Sequence, residues 1–274
     1  MSSMFKLSMV VSVQEAVFES IALKGRLEDC IKKAHTMGYE GVELSFPNPW
    51  KVDIEHLKRI LADYDLEVPA LSTGLSYLHY KWSLTSLDSS LRTKAVEALG
   101  KYIELAELLN ALVVIGLIRG ESREIPRDKA LSMLEQGLKE CCRVAESRGV
   151  TLVLEPLNRY ETRLINRIEE ALEMVHRVSS DNLKLLVDTF HMNIEEPIIE
   201  DSLRSAGGLI AHVHVADSNR LAPGMGHLNF KSILSVLKDI GYKNYLSAEI
   251  LPIPDPDTAA RATIEYLRRI MASL

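Results

Sequence analysis

Four residues in the second half of the chain are of the right type to hold a divalent cation, and each follows an apolar run. Glu155 closes LVLE, Asp188 closes LLVD, His214 closes AHVH and Glu249 closes LSAE. Burying a carboxylate against such neighbours costs several kcal/mol unless it is paired or coordinated. Three carboxylates brought together would repel one another, so a cation is the natural compensator. Three oxygen donors and one imidazole suit a hard or borderline ion such as Mn²⁺, Mg²⁺ or Co²⁺. Zn²⁺ is compatible, but no Cys or multi-His cluster demands it. Taken singly, each carboxylate reads equally well as a helix cap. Recurrence at four successive run ends is what points to a shared centre. His212, two residues before His214, belongs to the same strand face and is the candidate for a layer beneath;.

A polar second set follows each of the first three ligand candidates. PLNRYET offers Asn158, Arg159 and Glu161; TFHMNIEE offers His191 and Asn193; VADSNRLAPGMGHL offers Asp217, Asn219, Arg220 and His227. Polar groups of this kind suit a hydroxyl-rich substrate, because a sugar needs many directional hydrogen bonds. The GMG at Gly224–Gly226 reads as a loop former rather than a phosphate cradle, since a lone GxG is a weak signal;.

The elements that must position these residues alternate from end to end. Near-continuous β-branched runs begin at Lys6, Gly41, Val68, Ala111, Thr151, Leu183, Ile210 and Tyr245. Such runs are how parallel strands covered on both faces read. Between them the 3.6-residue pattern predicts helices over 27–37, 53–64, 91–109, 127–148, 168–178, 198–206, 230–240 and 258–271. Gly38, Gly149 and Gly241 each close a helix just before the next strand;. Eight strands alternating with eight helices predict an α/β fold, a single (β/α)₈ TIM barrel domain over residues 1–274;. An open doubly wound sheet fits less well, because the first strand runs into VVSVQEAV without a Gly-rich turn;. In a barrel all four ligand candidates converge on the C-terminal face, where the aromatic loop 75–86 also lies.

Composition narrows the functional classes. The 274 residues carry 32 Lys and Arg against 38 Asp and Glu, a net charge of −6, which disfavours a nucleic-acid partner;. Hydrophobic residues make up 47%, enough for a sizeable core and too many for a disordered chain;. No run reaches the roughly 18–20 apolar residues of a membrane span, and the first residues lack the form of a secretory signal. Cys30, Cys141 and Cys142 make a poor disulfide framework, so a cytoplasmic setting is expected, and the adjacent Cys141 and Cys142 read as packing residues on a helix;.

The segments LEPLNRYET, VDTFHMNIEEP, HVHVADSNRLAPGMGHL and SAEI resemble the motifs of the ketose 3-epimerases. This is the D-tagatose and D-allulose 3-epimerase group of the xylose-isomerase-like TIM barrels. The stretches LSMVVSVQEAVFESIALKG and VVIGLIRG are more similar to a branch acting on keto sugar acids, the 5-keto-L-gluconate epimerases. The resemblance covers essentially the whole chain. It implies that Glu155, Asp188, His214 and Glu249 are metal ligands, with Mn²⁺ the first choice. It also implies that Glu161, His191 and Arg220 bind substrate near its carbonyl, that Glu155 and Glu249 double as acid–base groups, and that the chain forms a homo-oligomer, a dimer or tetramer. The third-strand region, STGLSYLHYKW, does not map residue by residue onto the family's substrate pocket.

Inverting the carbon beside a ketone requires removing a weakly acidic proton and returning one to the opposite face. A metal acting as Lewis acid on the enediolate's oxygens, with one base on each face, meets that need. Aldose–ketose isomerases, hydroxypyruvate isomerase and inosose dehydratase share the scaffold and remain alternatives, and a non-catalytic sugar-binding barrel is the alternative outside enzymes. Endonuclease IV fits poorly, since it needs a His-rich zinc site and a basic groove.

Overall fold

The structure, a computed structural model, describes residues 4–274. Eight parallel strands form the barrel: β1 (Lys6–Val13), β2 (Gly41–Ser45), β3 (Ala70–Ser72), β4 (Leu112–Ile115), β5 (Leu152–Leu154), β6 (Leu183–Asp188), β7 (Ile210–Val215) and β8 (Tyr245–Ala248). Each pairs with the next, and β8 closes the ring on β1 through Lys6–Tyr245 to Met9–Ala248. A short extra strand, Leu23–Gly25, pairs with Val11–Val13 at the end of β1 and was not expected from the sequence.

The predicted helices form the outer layer with ends shifted by at most about two residues. Helix 27–37 is capped by Gly38 at φ 90°, and Asp53 and Asp255 accept from backbone N–H groups in the first turns of helices 54–63 and 256–271. Two further helices stand where loops were expected. Gly74–Tyr80 occupies the start of the aromatic loop after β3, and Thr189–Glu195 follows β6 directly. Each is seven residues long, too short for a helical period to stand out;.

Side-chain alternation divides the core in two. The outward strand residues join the helices in one large apolar layer, which includes the buried free thiols Cys30, Cys141 and Cys142. Inside the ring, Ala70, Val114, Val153 and Leu186 form a separate apolar floor. Two residues further along, the inward positions become Ser72, Gly116, Glu155 and Asp188, so the same strands that seal the floor present polar groups at the mouth.

Candidate active site

Glu155 and Glu249 are the residues immediately after β5 and β8, Asp188 is the last residue of β6, and His214 is the penultimate residue of β7. The β6–β7 register slips between Leu185 and Leu186, and this brings Asp188 directly opposite His214. His214 Nδ1 lies 3.6 Å from Glu155 Oε1, 3.9 Å from Asp188 Oδ2 and 3.9 Å from Glu249 Oε2. All four side chains are buried.

The two carboxylate oxygens of Asp188 differ in their surroundings. Its Oδ1 caps helix 189–195 by accepting from Phe190 N at 2.8 Å, whereas Oδ2 has no hydrogen-bond partner and faces the cluster. His214 Nδ1 is likewise buried without a hydrogen-bond partner. Buried polar atoms are rarely left unpaired. Two such atoms facing each other between further carboxylates fit the donor set of a divalent cation, and Asp188, His214 and Glu249 offer atoms within 4.8 Å of one another. The cap and ligand readings of Asp188 are thus compatible, because each uses a different oxygen.

The electrostatics follow from crowding. Burial pushes the Glu249 carboxyl up to about 8, with Glu155 and Asp188 adding repulsion against the pull of Arg220 and His214;. Burial would also raise Asp188, but Arg220, His191 and His214 outweigh it and hold the carboxyl below its usual range. For His214, burial alone would favour the neutral ring; Glu43 and the nearby carboxylates reverse this and raise it well above the ordinary histidine value.

The expected substrate contacts also gather here. His191 Nδ1 lies 2.8 Å from Asn158 Nδ2, its Nε2 lies 3.3 Å from the Arg220 guanidinium and 3.8 and 3.7 Å from Glu155 and Asp188, and burial lowers the ring's pKa;. Asn158 Nδ2 also donates to Glu161 Oε1 at 2.9 Å. The Arg220 guanidinium contacts Glu249 and lies 3.3 Å from Asp188 Oδ2, between the rings of Phe18 and Phe190. Its backbone takes φ 64°, a conformation costly for a non-glycine residue and held by Leu251 N–H donating to its carbonyl;. Arg159, Asn219 and His227 lie outside the cavity: Arg159 pairs with Glu195, and the other two brace the loop after β7. Asn193 sits half-buried on helix 189–195. Asp217 accepts from the N–H groups of Ser218, Gly224 and Leu228, so the GMG segment is folded around a carboxylate. Gly224 takes φ 91° and a side chain there would meet the Tyr266 ring.

Two buried charged residues escaped the sequence reading. Glu43 sits in mid-β2, fully buried, and accepts from His212 Nε2 at 2.8 Å and His214 Nε2 at 3.0 Å. His212 therefore takes its place in the layer beneath the cluster. Arg119, also fully buried, donates to the carbonyls of Gly116, Glu155 and Ile165 and fixes the backbone that carries Glu155. A lone Glu within GVELS and a lone Arg after GLI carry no spacing signal; each becomes visible only across 169 or 36 residues of chain.

The cavity over the cluster is closed on its far side by Phe18, Leu75, Leu78, Leu117 and Leu157, with Gly116 leaving room for Glu155 Oε2. Leu75 and Leu78 come from helix 74–80. A larger groove of about 830 Å³ lies between helices 127–147 and 168–178, but its Lys139, Arg143 and Glu146 are exposed and none of the clustered carboxylates lines it.

Comparison with known proteins agrees with the barrel fold. Residues 31–270 match the family described as xylose isomerase-like TIM barrel. An L-ribulose 3-epimerase from Mesorhizobium japonicum is 32% identical over 242 residues, 87% of this chain and 80% of that protein. A 3-dehydro-D-guloside 4-epimerase from Escherichia coli is 33% identical over 137 residues, 50% of this chain and 52% of that protein. A solved L-ribulose 3-epimerase structure superposes with TM-score 0.85 over 98% of this chain and 95% of that chain, at 28% identity. The chain belongs to the xylose isomerase-like TIM barrel family and, within it, to the ketose 3-epimerase group of isomerase-class enzymes.

Proposed function

We propose that the protein is a divalent-metal-dependent epimerase that inverts the carbon next to the carbonyl of a ketose. The observation that carries this is the pair of buried atoms without a hydrogen bond, Asp188 Oδ2 and His214 Nδ1, set between Glu155 and Glu249 and beside the Arg220 guanidinium. Glu155, Asp188, His214 and Glu249 would hold the ion, with Mn²⁺ the first choice and Mg²⁺ or Co²⁺ alternatives. When bound, it supplies a Lewis acid for the substrate's carbonyl oxygen and neighbouring hydroxyl. Glu155 and Glu249 come from non-adjacent strands and reach the cluster from different sides of the ring. One removes the proton at a carboxylate oxygen and the other returns one to the opposite face. His191 and the Arg220 guanidinium orient the substrate oxygens, and Glu161 binds a hydroxyl. The apolar wall of Phe18, Leu75 and Leu117 keeps bulk water from the reacting carbon.

The relatives named above act, by their names, at carbon 3 of a ketose and at carbon 4 of a 3-dehydro sugar. In both, the inverted carbon adjoins the ketone, so the support is for that chemistry rather than for one sugar. A keto sugar acid, such as 5-keto-L-gluconate, is the second reading. Arg220 is the sole Lys or Arg lining the cavity among the described residues, and it already meets Asp188 and Glu249; Arg119 of the VVIGLIRG stretch lies behind Glu155 and lines no part of it. A neutral ketose asks for no further cation and therefore comes first. A homo-oligomer, dimer or tetramer, is proposed from the same family resemblance.

The test is a panel of free ketoses and keto sugar acids assayed with Mn²⁺ and with a chelator. Metal-dependent interconversion of one 3-epimer pair is expected. Dehydration products, or turnover unchanged by the chelator, would contradict the reading.

A further inference from the structure

Glu43 is fully buried in mid-β2 and lines no part of the cavity. Three donors converge on it. His212 Nε2 lies 2.8 Å from Oε2, His214 Nε2 lies 3.0 Å from both oxygens, and Ser72 Oγ donates to Oε1. A neutral imidazole carries its proton on one nitrogen only, and which one is set by the partner of the other. A carboxylate is acceptor-only, so it requires both histidines to carry Nε2–H. An amide of the same shape presents an N–H group to one of those rings, and at 3.0 Å two donors cannot face each other;.

We propose that Glu43 is a positioning residue that keeps the His214 proton on Nε2 when a cation is bound, so that Nδ1, which faces Glu155, Asp188 and Glu249, is the ring's ligand atom. The proposal rests on the divalent-cation reading of that cluster. It assigns separate roles to the two histidines of HVH: His214 transmits the constraint to the cation, whereas His212 only shares the acceptor. His212 Nδ1 is buried without a hydrogen-bond partner and does not reach the cluster. Outer hydrogen bonds of this kind typically govern metal affinity over 10–100-fold.

The experiment compares Mn²⁺ binding by calorimetry in the wild type, Glu43→Gln and His212→Asn, with turnover measured at saturating Mn²⁺. Glu43→Gln is expected to weaken Mn²⁺ binding about 10–100-fold while turnover at saturation stays within about threefold, because Glu43 touches no substrate. His212→Asn is expected to leave Mn²⁺ affinity within about threefold. Equal Mn²⁺ affinity in the wild type and Glu43→Gln would overturn the proposal, as would equal losses in both variants. A wild type that binds no divalent cation would overturn the parent reading and this one with it. Nitrogen-15 histidine spectra of the Mg²⁺-loaded wild type need no variant to fold: His214 should show a protonated Nε2, and a protonated Nδ1 would refute the assignment.

Discussion

The two halves of the barrel do different work at the same mouth. In the proposed reading, strands β5 to β8 deliver the groups that would hold the cation and move the proton, Glu155, Asp188, His214 and Glu249, with His191 from the helix after β6 and Arg220 from the loop after β7. Strands β1 to β4 deliver no donor to that cluster. They supply Glu43 and Ser72 behind His214, Arg119 behind Glu155, a floor of Ala70 and Val114, and the leucines of helix 74–80 above. In that reading one half would carry the reaction and the other holds its groups in place. The difference teaches that a convergent set of like charges needs its compensation from elsewhere in the ring.

The largest effect expected from this division is on turnover. Glu155→Gln or Glu249→Gln should retain some metal and lower kcat by about 10²–10⁴-fold, the usual contribution of a general acid or base. Steady-state kinetics at saturating Mn²⁺ would show it, and near-normal kcat in the double variant would break the assignment of chemistry to β5–β8.

A change in the supporting half should act on stability instead. Arg119→Met leaves the carbonyls of Gly116, Glu155 and Ile165 without their donor. Loss of about 2–4 kcal/mol is expected from unpaired buried groups, read as a lower thermal midpoint. A variant as stable as wild type would show that Arg119 is no brace.

The pH response sharpens the contrast within the reactive half. Folding raises Glu249 to about 8 from a usual value near 4.3;. Its contribution to the stability of the chelated protein is therefore full below about pH 4, and is lost as pH rises through about 8. A cation must displace that proton. Its affinity should rise as pH rises toward 8, with protons released at pH 7 both from Glu249 and from the His214 ring, which the surrounding carboxylates hold protonated in the metal-free protein;. Calorimetry in buffers of different ionisation enthalpy measures the release, and none at pH 7 would mean that both groups have already lost their protons in the metal-free protein.

The smallest effect belongs to the wall. Leu75→Gln should change the preference between two ketoses by no more than about 1–3 kcal/mol in kcat/KM and leave Mn²⁺ affinity unchanged, since Leu75 lines the cavity away from the four ligand candidates. A fall in affinity would show that wall and ligands are coupled.

The same contrast explains what could be read from the sequence. Glu155, Asp188, His214 and Glu249 stand out because each interrupts an apolar strand at its C-terminal end, where alternation and topology dictate convergence. The eight-strand order was legible for the same reason. Glu43 and Arg119 were not, because a buried polar residue in mid-strand or in a short turn is defined by partners far along the chain. The helices Gly74–Tyr80 and Thr189–Glu195 were missed because two turns are too few for a period, and Asp188, read as a ligand candidate, also supplies the second one's cap.

The central claim is inversion by two carboxylates beside a ketone, and it meets its most direct test in D₂O. With the Mn²⁺-loaded protein and a ketose, product isolated early should carry one deuterium at the inverted carbon, while recovered substrate carries little. Inverted product that retains the substrate's own hydrogen at that carbon would contradict the account.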